Sequence, residues 1–238
     1  TLITWPLKRL SNAKNLTEEQ KEELGIATRN SSRLLQLINQ LINIRKLEKG
    51  KSQLSLTKFD LVNFVSEMHK GFSGENKSKE IQFDILTEFT SFQIEADREK
   101  LDIILYNLLS NAYKYSPKKG KIRVKIGKQI SKKATDYNNQ LSFGKLETDD
   151  YVEIAVEDSG SGISSEDLLH VFNRFEQGRQ NGNGLRKING SGIGLSVCKD
   201  YTLLHNGVIK AQSTIGRGSC FTIQLPRKQK AQAILFES

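Results

Sequence analysis

The chain has little cysteine, little histidine and no long apolar run. The two cysteines, Cys198 and Cys220, lie far apart, each inside an apolar pattern. Buried thiols in a reducing compartment are therefore expected rather than a disulfide. No stretch approaches the roughly 18 apolar residues that a membrane span needs. Thr1 opens directly into mixed sequence, so no signal peptide is expected. There are three histidines. His69 is expected on a helix surface and His170 in a short helix. His205, in His-Asn-Gly, fits a helix C-terminus, where a cation or donor is favourable. All three read as structural. What is present is 37% hydrophobic and 26% charged, the composition of a folded core. The 238 residues suffice for one large domain, or for a small and a medium one. The formal charge of +9 raises the question of nucleic acid or a membrane surface. The lysines are scattered, however, and pairs such as Lys118-Lys119 and Lys132-Lys133 look like solvated loops. No direct nucleic-acid contact is expected.

The stretch that organises the chain is Asn107-Leu-Leu-Ser-Asn-Ala-Tyr-Lys-Tyr-Ser-Pro117. It closes a helical pattern that begins near Asp97. At about 100° per residue, Asn107, Asn111 and Lys114 share one narrow face. Leu101, Leu105, Leu108, Leu109 and Ala112 share the other, the ordinary arrangement of a helix lying on a core. A merely solvated face favours Glu and Lys, which are better helix formers than Asn. Two carboxamides one turn apart, then a lysine, suit a hard cation and its phosphates. A solvated face frayed at Pro117 is the plainer alternative.

In order along the chain, residues 1–15 begin inside an element with Leu2, Ile3, Trp5, Leu7 and Leu10. Thr17 and Gln20 fit a capping box. A helix then runs to about Glu48 with an apolar seam through Leu24, Leu35, Ile38 and Ile42, widened by Leu34 and Leu41. Such a seam has to be buried, and two helices make a thin core, so a four-helix bundle in a homodimer is expected. Packing of the hairpin on the following domain is the alternative. Lys49-Gly-Lys-Ser-Gln is a linker, and Asp60 is placed to N-cap a helix carrying Phe64, Val65 and Met68. Strands are expected at 81–85 and 89–94, joined by a turn, then at 121–126 and 151–157, with the central helix over 97–116. Residues 128–149 read as an exposed hairpin extension. A short helix spans 165–175, a Gly/Asn/Arg loop 176–191, and a helix 193–205. Strands at 208–213 and 220–225 close the fold. The whole predicts an α+β chain: a helical hairpin followed by a two-layer sandwich of a mixed sheet with helices on one face. The basic-then-apolar segment 227–238 has no evident partner.

Two glycine clusters follow strand or loop. Asp158-Ser-Gly-Ser-Gly162-Ile163 ends a strand, and Asp158 there can accept from an exocyclic amine such as adenine N6. Asn189-Gly-Ser-Gly192-Ile-Gly194-Leu195 opens into a helix, where backbone N–H groups and the dipole favour phosphate. Its spacing is neither the Walker pattern nor the dinucleotide fingerprint. Between them lie Phe172-Asn-Arg-Phe175 and the long loop, whose length beside a glycine-rich site suits a lid.

These motifs, in this order, resemble those of a sensor histidine kinase over residues 59–226. Asn107 to Tyr115 resembles the N box, Asp158 to Gly162 the G1 box, Phe172 to Phe175 the F box, and Gly190 to Leu195 the G2 box. Ser213-Thr-Ile-Gly216-Arg-Gly218-Ser-Cys-Phe221 with Leu225-Pro226 resembles the closing strand pair, with Ser219 where the family often has Thr. The resemblance implies a Bergerat-type ATP-binding fold using ATP and Mg2+. It makes Asn111 the magnesium ligand with Asn107 nearby, sets Lys114 on the phosphates and Asp158 on the adenine, and brings Arg174 to the γ-phosphate. Tyr115, Gly160, Gly162, Ile163, Phe172, Phe175, Gly190, Ser191, Gly192, Ile193, Gly194, Leu195 and Ser219 complete the implied ATP site, with 176–191 as its lid. It divides the chain into a dimerisation and phosphotransfer hairpin over 1–50, a catalytic domain over 59–228 and a tail over 229–238. The phosphoacceptor histidine is implied about seven residues before Thr1. The implied partners are a second copy of the chain and a response-regulator receiver domain. The implied setting is the cytoplasmic portion of a membrane-bound sensor, touching the membrane only through a region outside this chain. The wording of the motifs and the 128–149 extension are similar to hybrid two-component sensors. Gyrase-like and chaperone-like ATPases of the same fold carry a glutamate where this chain has Asn107. A carboxamide cannot be a general base, which disfavours that reading. A nucleotide-binding scaffold without catalysis is the remaining alternative.

Overall fold

The structure, a computed structural model, describes residues 53–75, 79–128, 137–176 and 191–229, with scattered positions between 9 and 45 and Ile130. The expected lid from 177 to 190, including Gly190, lies outside the described residues, as do most of the hairpin and the tail from 230. The chain divides into two units, Thr1–Ser52 and Gln53–Ser238.

In the first unit the expected capping box is made in both directions. The Gln20 N–H donates to Thr17 Oγ1 (3.2 Å) and the Thr17 N–H donates to Gln20 Oε1 (3.0 Å). Described positions from Glu23 to Thr28 and at Ser31, Leu34, Ile38, Ile42 and Arg45 are helical.

The second unit opens with β1 (Leu56–Asp60) and α1 (Leu61–Glu75). The Asp60 carboxylate accepts from the N–H groups of Val62 and Asn63, the capping expected of it. Then come β2 (Gln82–Thr87), β3 (Gln93–Asp97) and the central helix α2 (Arg98–Tyr115). Next are β4 (Lys121–Gly127), β5 (Asn139–Phe143), β6 (Tyr151–Asp158) and α3 (Ser165–His170). Helix α4 (Gly194–Leu204) and strands β7 (Val208–Thr214) and β8 (Gly218–Pro226) close the unit. Six strands form one mixed sheet in the order β2-β4-β6-β8-β7-β5, with β2 and β4 parallel and the rest antiparallel. β1 and β3 form a separate antiparallel pair.

This corrects the expected join of the strands near 85 and 90. β2 and β3 are not partners; they belong to different sheets. The extension read over 128–149 contributes β5, an edge strand on β7. Helix α3 stops at His170, short of the expected 175, and Arg227 is not partnerless. Its carbonyl accepts from the Glu95 N–H, its Nε donates to the Gln93 carbonyl, and its guanidinium lies 5.3 Å from the Phe92 ring centre. Arg227, the first residue after β8, thus fastens the small sheet.

Alternation in β4 explains the layering. Ile122, Val124 and Ile126 are buried, while the intervening Arg123 and Lys125 face the other way and pair with Glu157 of β6. Helix α2 packs on β6 and against α4, with Leu101, Ile104, Leu105, Leu108 and Leu109 buried in the core. Among the described residues no helix is long and apolar enough to cross a membrane. Both cysteines are free and buried, as expected, and burial pushes the Cys220 thiol up to about 12.

Candidate active site

Helix α2 delivers the N-box side chains, and its ends fix where they point. At the N-terminus Asp97 caps the helix by accepting from the Lys100 N–H (3.0 Å), and it pairs with the Lys100 ammonium (2.6 Å). A cap of this kind contributes about 0.5–2 kcal/mol. The Asp97 N–H in turn donates to Nε2 of His205, whose Nδ1 donates to the Tyr201 carbonyl (2.7 Å). His205 is fully buried, and desolvation holds its pKa below the ordinary histidine value. It is a neutral strut between α4 and α2. Of the cation or donor expected at this helix end, it is the donor, and its role is structural. His69 is half-buried, with Nε2 at 3.3 Å from the Phe83 carbonyl, and His170 meets the Asn173 amide.

Asn107 is buried rather than on an open stripe. Its Nδ2 donates to the Ile103 carbonyl (2.8 Å), which turns its Oδ1 toward the second glycine cluster. A methyl group added at Gly194 would lie 2.7 Å from that oxygen, so the N box and G2 box are in contact. Asn111, one turn on, is half-buried and its carboxamide has no hydrogen-bond partner among the described residues. Lys114 is half-buried, its ammonium 4.7 Å from the ring centre of the exposed Tyr115.

Asp158 stands at the end of β6, only 9% exposed. Burial raises its pKa to about 6, against the lowering effect of N–H groups donated by Gly160 (2.8 Å) and Ser219. Gly160 presses on the end of α2: a methyl there would lie 2.8 Å from the Tyr115 carbonyl oxygen. The G1 box and the end of the N box are thus in contact as well. The turn after Gly162 is pinned by Ser213, whose hydroxyl accepts from the Ile163 N–H (2.8 Å) and donates to the Gly218 carbonyl (2.8 Å). The buried Ser219 hydroxyl lies 3.1 Å from the Ser213 hydroxyl. In the sequence Ser213 reads only as part of a strand, because the strand pattern hides which hydroxyl turns inward.

The F box meets the G2 box through backbone. Gly192 has φ +68°, and its carbonyl accepts from the Phe175 N–H (2.8 Å). A side chain there would be strained and would strike the Phe175 and Glu176 backbone. Phe172 is 1% exposed and packs edge-on against Phe143 and Phe221, so its ring belongs to the core. Phe175 is 64% exposed. Arg174 pairs with Asp200 of α4 (3.2 Å). Ser191 accepts from the Ile193 N–H, Ile193 is buried, and Leu195 is half-buried.

One contrast gives the site its electrostatic sense. Helices α2 and α3 have side-chain caps, from Asp97 and Ser164. Helix α4 has none: its N-cap is Ile193. Its first N–H groups and the positive end of its dipole are left for another acceptor, as at phosphate sites. Among the described residues no group of three His, Cys, Asp or Glu side chains could hold a metal alone. The half-buried carboxamide oxygen of Asn111 is of the type that could ligate a hard cation.

Residues 96–229 match the family of histidine kinase-, DNA gyrase B- and HSP90-like ATPases. The chain belongs to that family, and its relatives within it include histidine kinases. Histidine kinase P4 of Formosa agariphila is 32% identical over 95% of this chain, which spans 15% of that protein. Two solved structures share the fold. Full-length ShkA in complex with AMPPNP has a TM-score of 0.71 at 21% identity, over 97% of this chain and 43% of that one. Histidine kinase ThkA in complex with the response regulator protein TrrA has a TM-score of 0.59 at 22% identity, over 95% of this chain and 57% of that one.

Proposed function

We propose that this chain is the ATP-dependent core of a protein-histidine kinase in two-component signalling. The observation that carries the reading is the convergence of three separated motifs. Asn107 lies against Gly194, Tyr115 against Gly160, and Asp158 stands buried at the end of β6. Asp158 accepts the adenine amine, and the uncapped start of α4 at Gly192 and Gly194 receives the phosphates. Lys114 supplies positive charge beside them. Asn111 would hold the magnesium ion that neutralises the phosphate oxygens. Arg174 reaches the γ-phosphate once it leaves Asp200.

The reaction is transfer of the γ-phosphoryl group from ATP to an imidazole nitrogen, then to an aspartate of a receiver domain. The protein's part in such chemistry is positioning and charge neutralisation. Asn107, where ATP-hydrolysing relatives of this fold have an acid, cannot take a proton from water, so hydrolysis is slow. This reading puts the acceptor histidine upstream of Thr1, and the contacts of His69, His170 and His205 within the second unit support it. The exposed Leu34, Ile38 and Ile42 support a homodimer through the first unit. The ThkA complex with TrrA supports a receiver domain as the onward partner.

The test is labelling with γ-radiolabelled ATP. Residues 1–238 should bind ATP without labelling themselves. A chain extended by about fifteen residues at its N-terminus should label, with a phosphate that is acid-labile and base-stable. Strong labelling of 1–238 at His69, His170 or His205 would overturn the placement of the acceptor.

A further inference from the structure

Lys79 precedes β2 and belongs to none of the motifs above. Its ammonium donates to three carbonyls where α2 ends: Tyr113 at 2.8 Å, Lys114 at 3.1 Å and Ser116 at 3.1 Å. Its own carbonyl accepts from the Lys119 N–H at 2.9 Å. One residue therefore grips both sides of the turn that leaves the helix. The last carbonyls of a helix have no partner within it and form the negative end of its dipole; a lysine there answers both needs. Lys114, on the same turn, is directed over the Tyr115 ring instead.

This turn is the wall against which the G1 box stands. The Tyr115 carbonyl oxygen is 2.8 Å from where a Gly160 methyl would be, and Asp158 Oδ1 is 2.6 Å from the same point. Further along, the site of a Gly120 methyl lies 2.9 Å from the Pro117 carbonyl oxygen and 3.0 Å from Ser159 Oγ. Ser159 is bonded to Lys121 in both directions, N–H to carbonyl at 3.0 Å and Lys121 N–H to Oγ at 2.7 Å. There is no slack between the turn and residues 158–160. A shift of one displaces the other.

We propose that Lys79 is a positioning residue for nucleotide binding. Its charge fixes the C-terminal turn of α2 and through it the aim of the Asp158 carboxylate, without touching nucleotide. The inference rests on the reading of Asp158 as the adenine partner.

The test is calorimetric titration of the 238-residue chain with magnesium-ATP, well below the melting temperature of each variant. Lys79→Met should weaken ATP about tenfold. Lys79→Arg, which keeps the charge and several N–H donors, should retain most of the affinity. A Lys79→Met protein that melts earlier yet binds ATP normally would mean that the lysine serves folding alone, and would overturn the proposal. Equal loss in Lys79→Met and Lys79→Arg would overturn it too. If Lys79→Met does not fold, Lys79→Gln replaces it, and normal affinity there is again fatal. Asp158→Asn separates the two ideas. If it weakens ATP while Lys79→Met does not, the site stands and the clamp falls. If Asp158→Asn binds ATP normally, the adenine reading fails and takes the clamp with it.

Discussion

The two units of the chain treat apolar side chains in opposite ways. In Gln53–Ser238, Leu101 and Ile104 are wholly buried and Leu105 and Leu109 are 2% exposed. In Thr1–Ser52, Ile26, Leu34, Ile38 and Ile42 expose between 42% and 54% of their surface. Leu34, Ile38 and Ile42 recur every four residues, a single stripe on a helix. The second unit has a closed core of this kind, with its exposed apolar residues, such as Leu86, Leu169, Phe175 and Ile215, scattered singly. The helical unit leaves a stripe exposed, which is what the proposed pairing with a second copy would cover.

The largest expected effect breaks this comparison at its assembly end. Changing Ile38 and Ile42 together to Lys should convert a dimer into a monomer in light scattering at micromolar concentration, with ATP affinity unchanged. A monomeric parent protein would remove the contrast between the units. Next in size is the packing end. Leu105→Ala should lower the stability of the catalytic unit by about 2–5 kcal/mol, read as a fall in the urea midpoint by circular dichroism. Ile42→Ala should leave that midpoint within about 0.5 kcal/mol of the parent. Equal effects from the two would contradict the assignment of Leu105 to a closed core.

The smallest effect sharpens the account of how α2 is held. His205 has a folded pKa below its unfolded value, so the unfolded chain takes up a proton that the buried strut refuses. The stability it contributes is present above the unfolded pKa of about 6.5 and is lost as pH falls below it. Asp158 runs the other way. With a folded pKa of about 6, its contribution is present below the ordinary carboxylate value and lost as pH rises through about 6. The two oppose each other between pH 5 and 6.5, so the His205 contribution has to be measured with Asp158 silenced. In Asp158→Asn, the melting temperature should fall as the pH is lowered from about 7.5 to about 5.5. Adding His205→Gln should flatten that slope. An unchanged slope would show that His205 is not the group titrating.

Much of the catalytic unit was legible because its signals are local. The 3.6-residue period of Leu101 to Leu109 and the Asp97 cap mark α2, and glycine clusters mark the places where backbone approaches backbone. What was hidden depends on partners distant in sequence. Leu56-Thr-Lys-Phe-Asp60 carries no clean alternation, and its partner β3 is 37 residues away by the Leu56 to Asp60 and Gln93 to Asp97 register. The parallel pairing of β2 with β4 is set across α2 and leaves no mark on either strand. Asn107 reads as one member of a polar stripe, and only the approach of α4 buries it. Phe172 reads as part of a binding motif, and only Phe143 and Phe221 reveal that its ring fills the core. Lys79 stands in a segment without period or motif, so nothing in the chain announces that it closes α2.

The central claim is that Asp158, with the N and G2 boxes around it, makes an adenine-selective nucleotide site. The direct measurement is calorimetric titration of the unmodified chain with magnesium-ATP and magnesium-GTP, alongside Asp158→Asn. The account predicts clear preference for ATP in the parent, lost in Asp158→Asn because the neutral amide offers a weaker acceptor to the adenine amine. Equal affinities of the parent for ATP and GTP would contradict it.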